Sequence, residues 1–208
     1  MTAPLRTRRD ELTRIALELL EAEGPEAVST RRVAAAYGAS TMAVYSEFGS
    51  LGGLVASVVD AGFGLLAAEM ATVPSTGDPV ADLVQLGERY RSFAHEHPHL
   101  YRVIYAVSPL AGHRRDGAEL MQGAEAFEVM HAVVRRAYRD GRLSVGTPYA
   151  AALQLWISWH GLVVAELAGY VDAMPAPPEP LVASWMRALA VGLGDDAEAA
   201  ARSIPFTA

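Results

Sequence analysis

Residues 29–50 read STRRVAAAYGASTMAVYSEFGS, and the spacing within this stretch decides the fold. Ser29 suits a helix N-cap, because its hydroxyl can accept from the free N–H groups of the first turn. Val33 and Ala34 supply a small apolar face. Gly38 ends the helix, since glycine takes the left-handed backbone without a Cβ clash. Ser40 is then expected to cap a second helix running from Thr41 to about Phe48. Val44 and Phe48 lie four apart on one face of it, which requires burial. Thr41, Met42 and Tyr45 fall off that face. Two short helices joined by a tight turn are the plan of a helix-turn-helix, whose second helix can enter the DNA major groove.

Upstream, Thr7 and Asp10 place a hydroxyl and a carboxylate three apart at a helix start, a variant of the capping box. Leu12, Ile15, Ala16, Leu19 and Leu20 repeat at helical spacing as one buried stripe. Gly24-Pro25 closes this helix. Arg6, Arg8 and Arg9 form a basic N-terminal arm expected to bind DNA through phosphate contacts, and Arg31 and Arg32 open the first helix of the motif. The formal net charge is nevertheless −7, with all 17 basic residues arginine. An acidic chain is a poor bulk counter-ion for DNA, so binding must be local and geometric.

The chain has 208 residues, 51% apolar and 20% charged, which marks it as globular. The lack of cysteine excludes disulfides, thiol catalysis and cysteine-zinc fingers, and suits a reducing cytoplasm. No secretory signal is visible. The apolar run Leu155–Val171 is broken by His160 and Glu166, and it reads as a buried helix rather than a membrane span.

A long helix is expected from about Leu51 to Ala71. Its Gly52, Gly53, Gly62 and Gly64 serve either close helix packing or bending. Asp78-Pro79 starts a helix that Pro98 halts after His97, and HLYRVIYAV forms a shorter one. Further helices are predicted over about Ala118–Arg139, Pro148–Val171 and Pro180–Gly192. Met121, Ala124, Phe127, Met130 and Val134 share a stripe in the first of these. No β-alternation occurs. The expected fold is all-α: a three-helix helix-turn-helix domain over 1–50, then a helical effector-binding and dimerisation domain over 51–208.

Several constraints at fixed spacing make the first part resemble the DNA-binding domain of tetracycline-repressor-type regulators. They are a helix ending EAEG, then VSTRRVAAAYGAS, then VYSEFGS, then an apolar helix from Leu54. FAHEHPHLYRVIY and WISWHGLVVAEL are similar to a C-terminal domain named for its Trp-His-Gly triplet, here Trp159, His160 and Gly161. The resemblance implies a homodimeric, all-helical repressor that releases DNA when a small molecule binds. It places Thr41, Met42, Ala43, Tyr45 and Ser46 facing DNA. The recognition helix carries one acidic residue, Glu47, and no basic one, and its uncharged groove face is the reason for the alternative, a helical sensor or interaction protein without operator binding.

Among candidate sites, Arg31 is read as a phosphate or base-edge contact and Tyr45 as a phosphate contact. His95, His97 and His99 have the wrong spacing for a helical metal pair, so no metal or cofactor is expected. His97 is expected to cap the helix beginning at Pro98. His160 is either a core histidine with its ring hydrogen bonds satisfied or a polar fixture of an apolar effector pocket. Phe93, Tyr101, Tyr105, Phe127, Met130 and Trp156 are the other pocket candidates. Trp185, Leu189 and Gly192 are expected near a two-fold interface of four helices. No nucleophile elbow, phosphate loop or zinc-protease motif is present, so no enzymatic activity is expected.

Overall fold

A computed structural model of the protein describes residues 7–117, 119, 122–173 and 179–205. Arg6, Met121 and the centre of the proline-rich stretch 173–180 lie outside the described residues. Ten α-helices occur among those described: α1 (Arg8–Glu23), α2 (Thr30–Tyr37), α3 (Thr41–Phe48), α4 (Leu51–Met70), α5 (Pro79–Glu96), α6 (Pro98–Ile104), α7 (Ala124–Arg139), α8 (Pro148–Leu167), α9 (Glu179–Gly192) and α10 (Ala197–Ser203). The all-α fold expected from the sequence is the one observed. The chain forms two compact units, residues 1–65 with 96–124, and residues 66–95 with 125–208. Most of α4, together with α6, belongs with the first three helices in the first of these units.

In the first unit the predicted stripe of α1 is inward: Leu12, Ile15, Ala16 and Leu20 are buried. Thr7 and Asp10 form the expected capping box, with reciprocal bonds of 3.1 and 2.9 Å. Two glycines of α4 serve close packing. A Cβ on Gly53 would lie 2.0 Å from the Phe48 carbonyl oxygen, and one on Gly62 would lie 2.6 Å from an Ile104 methyl group. Gly64 has open space around it and shows no such need. The start of α6 is capped from a distance. His97 makes no side-chain cap bond; instead Glu21 of α1 accepts from the Leu100 N–H at 3.0 Å. A carboxylate is the stronger acceptor there, and it complements the positive end of the helix dipole. At the other end of α6, the buried Arg115 donates to the Ile104 carbonyl at 2.6 Å.

In the second unit Asp78 caps α5 as expected, accepting from Val80 and Ala81 N–H groups at 3.0 and 3.2 Å. Helix α7 starts at Ala124, later than predicted. Helix α8 stops at Leu167 because Gly169 turns left-handed, with φ 78°. Helix α10 was not expected: Asp196 caps it through the Ala199 N–H at 2.9 Å. Arg142 ties the end of the chain to the start of α5. It binds Asp195 through two bonds of 2.8 Å, Asp78 at 2.8 Å and Ser203 at 2.9 Å.

By length and composition alone, α4 and α8 are long and apolar enough to cross a membrane. Each nevertheless buries a continuous apolar stripe within the fold: Leu54, Val55, Val58, Val59 and Leu66 on α4, and Leu155, Trp159 and Val163 on α8.

Candidate nucleic-acid interface

Helices α2 and α3 form the helix-turn-helix. Ser29 accepts from the Arg32 N–H at 3.2 Å. Gly38 is left-handed at φ 81°, and the Ala39 N–H reaches back to the Ala34 carbonyl at 2.9 Å, a Schellman-type stop. Ser40 has N-cap backbone geometry but makes no side-chain cap bond.

The buried side of α3 holds Val44 and Phe48, as the spacing required. Ala43 departs from its expected place with the DNA-facing residues. It is 7% exposed and sits beside Val44 on the inner face, where a methyl side chain has no reach to a base. Met42 at 71% and Tyr45 at 43% are outward, Ser46 is exposed and Thr41 is half-buried. Arg31 is exposed on α2 and makes no ion pair with any described residue, which leaves its guanidinium free for an anion. Its neighbour Arg32 is engaged by Glu23 through bonds of 3.0 and 2.6 Å.

Arg8 and Arg9 do not form an extended arm. They are the first residues of α1 and turn toward the end of α3. Arg8 lies 3.5 Å from the Glu47 carboxylate. Arg9 donates to the Glu47 carbonyl at 2.6 Å, and its guanidinium lies 4.6 Å from the centre of the Phe48 ring. The acidic residue of the recognition helix thus has a cationic neighbour. The sequence did not reveal this because the partners are 38 or more residues apart.

The candidate effector residues occur in both units. In the first unit Tyr101 packs against Tyr105, which meets Phe63 edge-on at 5.4 Å. In the second unit Phe127 joins His131 and Tyr149, with ring centres 5.9 and 5.4 Å away. Trp156 stacks on His160 at 5.3 Å, and the His160 ring nitrogen Nδ1 lies 3.2 Å from the Tyr90 hydroxyl. Burial holds the His160 imidazole below its ordinary value of 6.5. Phe93 and Met130 are buried, at 0% and 3% exposure.

The Trp-His-Gly triplet points three ways. Trp159 is fully buried over Gly87, where an added Cβ would lie 1.8 Å from the indole. Its Nε1 has no hydrogen-bond partner among the described residues. His160 reaches Tyr90, and Gly161 is exposed with open space beside it. Further along α8, Glu166 is held by Arg91 at 2.7 Å and His95 at 2.8 Å. On α9, Trp185 is half-buried against Trp159 with ring centres 5.2 Å apart, Leu189 is half-buried and Gly192 is exposed. Ile157 on α8 and Leu181 and Val191 on α9 are exposed apolar residues, at 59%, 51% and 43%. No group of three metal-ligating side chains occurs among the described residues.

Known proteins match both parts of the chain. A family model described as bacterial regulatory proteins, tetR family, matches residues 12–58. A second, described as tetracyclin repressor-like, C-terminal domain, matches residues 83–189. An uncharacterized HTH-type transcriptional regulator of Mycobacterium tuberculosis is 28% identical over 173 residues, 81% of this chain and 74% of that protein. Among solved structures, a protein of unknown function from Rhodococcus sp. RHA1 superposes with a TM-score of 0.73 at 23% identity, covering 93% of this chain and 100% of that one. PfmR from Thermus thermophilus, a TetR family transcriptional regulator, does so at 0.55 and 18%, covering 88% and 99%. These two likenesses show the fold. With the C-terminal model spanning more than half of the sequence and the helix-turn-helix model preceding it, the chain belongs to the tetracycline-repressor-like family of DNA-binding, non-enzymatic regulators.

Proposed function

We propose that the protein is a homodimeric repressor in the cytoplasm that leaves a palindromic operator when a small apolar effector binds. In this reading residues 1–50 read DNA, and residues 51–208 bind effector and dimerise through a C-terminal domain of the Trp-His-Gly type. The observation that carries the DNA-binding half is the outward face of α3, together with an exposed Arg31 on the preceding helix. Met42, Tyr45 and Ser46 are exposed, Thr41 is half-exposed, and Arg31 has no partner among the described residues. Arg31 and Tyr45 serve phosphates. Thr41, Met42 and Ser46 read base edges by hydroxyl bonds and methyl contacts. The alternative, a helical sensor or interaction protein without operator binding, rests on the uncharged groove face of α3; a wild-type chain that selects no duplex would favour it.

Dimerisation is supported by the exposed apolar residues Ile157, Leu181 and Val191, with Gly161 and Gly192 leaving room for a facing helix. A two-fold pair of α8 and α9 would bury them in an isologous contact. The effector reading is supported by Trp156, His160 and Phe127, which offer aromatic faces and one polar ring in the second unit.

The test is selection of bound duplexes from a random-sequence library, followed by affinity measurements over a salt series. A palindrome with half-site centres about one helical turn or a multiple apart is expected. Thr41→Ala should change the preferred base and leave the salt slope alone. Arg31→Ala should weaken all duplexes alike and flatten the slope by about one unit per lost phosphate contact. Failure of the wild-type chain to enrich any sequence would sink the reading.

A further inference from the structure

We infer that Arg9 is a positioning residue for DNA reading: it clamps the C-terminal end of the recognition helix to the first turn of α1 and is not a phosphate contact. The inference rests on the operator-binding reading above. Three observations carry it. The Arg9 guanidinium donates to the Glu47 carbonyl at 2.6 Å and lies over the Phe48 ring at 4.6 Å, so a donor and a face of one planar group are both engaged. A cation at this end also meets the negative pole of α3. The turn of α1 that carries Arg9 is itself fixed. Its capping box closes the helix start, and the Thr13 hydroxyl donates to the Arg9 carbonyl at 2.9 Å while lying 2.9 Å from Ser57 of α4.

Helix α3 has eight residues and cannot hold its own direction, since short helices derive their stability from packing. Its N-terminal end follows the turn at Gly38. Its C-terminal end is bounded on one side by Gly53 of α4, which leaves no room between itself and the Phe48 carbonyl. Arg9 bounds it on another. Met42, Tyr45 and Ser46 project from the same two turns, so a small tilt of α3 displaces every base contact together. Arg8 plays a different part: it offsets the Glu47 carboxylate at 3.5 Å and leaves the backbone alone.

The experiment uses the full chain and a duplex selected by the wild type, compared with a random-sequence duplex of equal length. Affinity for both is measured over a salt series for Arg9→Lys, Arg9→Gln, Phe48→Leu and the Arg9→Gln/Phe48→Leu double variant, with melting temperatures alongside. The clamp predicts that Arg9→Gln lowers the ratio of specific to non-specific affinity about tenfold, the scale of one base pair's discrimination, without changing the salt slope. Arg9→Lys should fail to rescue, because an ammonium cannot stack and donate as a planar fork does. Phe48→Leu removes no charge, yet should lower the same ratio, and the double variant should be no worse than the poorer single. A phosphate contact gives the opposite pattern. Arg9→Gln would then weaken both duplexes alike and flatten the slope by about one unit per protomer, Arg9→Lys would restore binding, and Phe48→Leu would leave the ratio alone; that result overturns the inference while leaving the operator-binding reading intact. A wild-type chain that selects no duplex overturns both.

Discussion

Gly87 shows how much one missing Cβ can decide. It lies on α5 under the indole of Trp159, and an added methyl would come within 1.8 Å of the Cε2 atom. Trp159 has no room to retreat, since its side chain is fully buried and its other edge meets Trp185. Gly87→Ala is therefore expected to destabilise the protein by about 1–3 kcal/mol, the usual cost of overpacking. Urea unfolding monitored by tryptophan fluorescence measures this. Trp159→Phe in the alanine background should recover part of the loss, and additive effects in the cycle would show that the two residues do not press on each other. Gly53 makes a comparable close approach to the Phe48 carbonyl, so an alanine there would shift α3 as well as α4.

Among the elements, α2 is short enough that its ends matter as much as its buried face. Only Val33 and Ala34 are inward, so the cap at Ser29 and the left-handed Gly38 carry a large share of its stability. Ser29→Ala should cost about 1 kcal/mol by leaving an N–H of the first turn without its acceptor. Gly38→Ala should cost a similar amount, about 1 kcal/mol, because alanine resists φ 81°. Thermal unfolding checks both, and hydrogen exchange of the α2 amides should rise in each. A null effect of Ser29→Ala on the protection of Arg32 would contradict the bond at 3.2 Å. Ser40 supplies an internal control: its side chain makes no cap bond, so Ser40→Ala should cost less than Ser29→Ala.

For the molecule as a whole, stability should depend on pH through a few named groups. Burial alone would raise the Asp78 carboxyl, but the Ser203 hydroxyl, the Ala81 N–H and Arg142 hold it below its ordinary 3.8. Burial likewise opposes the shift at Asp82, where Thr76 and Arg136 win and the carboxyl is again lowered. Groups lowered on folding add stability that is complete above their unfolded values and is lost as pH falls through the folded ones. Both aspartates should therefore contribute fully at neutral pH and lose their contribution below about pH 4. His160, also lowered, should give an earlier and separate decline that begins as pH falls through about 6.5. Denaturant midpoints measured from pH 7 to pH 3 should show two steps, and His160→Asn should remove the upper one. Arg142→Ala should cost about 3 kcal/mol, because it leaves the Asp195 carboxylate, 1% exposed, without its cation.

Features that depend on residues within a turn or two of each other could be read along the chain. The capping box at Thr7, the cap at Ser29, the stop at Gly38, the N-cap of α5 at Asp78 and the buried pair Val44 and Phe48 are all local. A helix responds to neighbours three and four residues away, so these features are legible in order along the chain. The outward Met42 and Tyr45 followed from the same spacing, and Ser46 from the family resemblance. The remaining features came from packing between segments far apart in sequence. Ala43 turned inward because the core beneath α3 is wider than the stripe through Val44 and Phe48. Arg8 and Arg9 became helix residues facing Glu47 and Phe48 instead of a free arm. Glu21, not His97, capped α6. Arg142 reached Asp195 across 53 residues, and Trp159 found the one surface of α5 with no side chain to refuse it. Each such contact requires two segments that are already folded to meet, a condition no local pattern encodes.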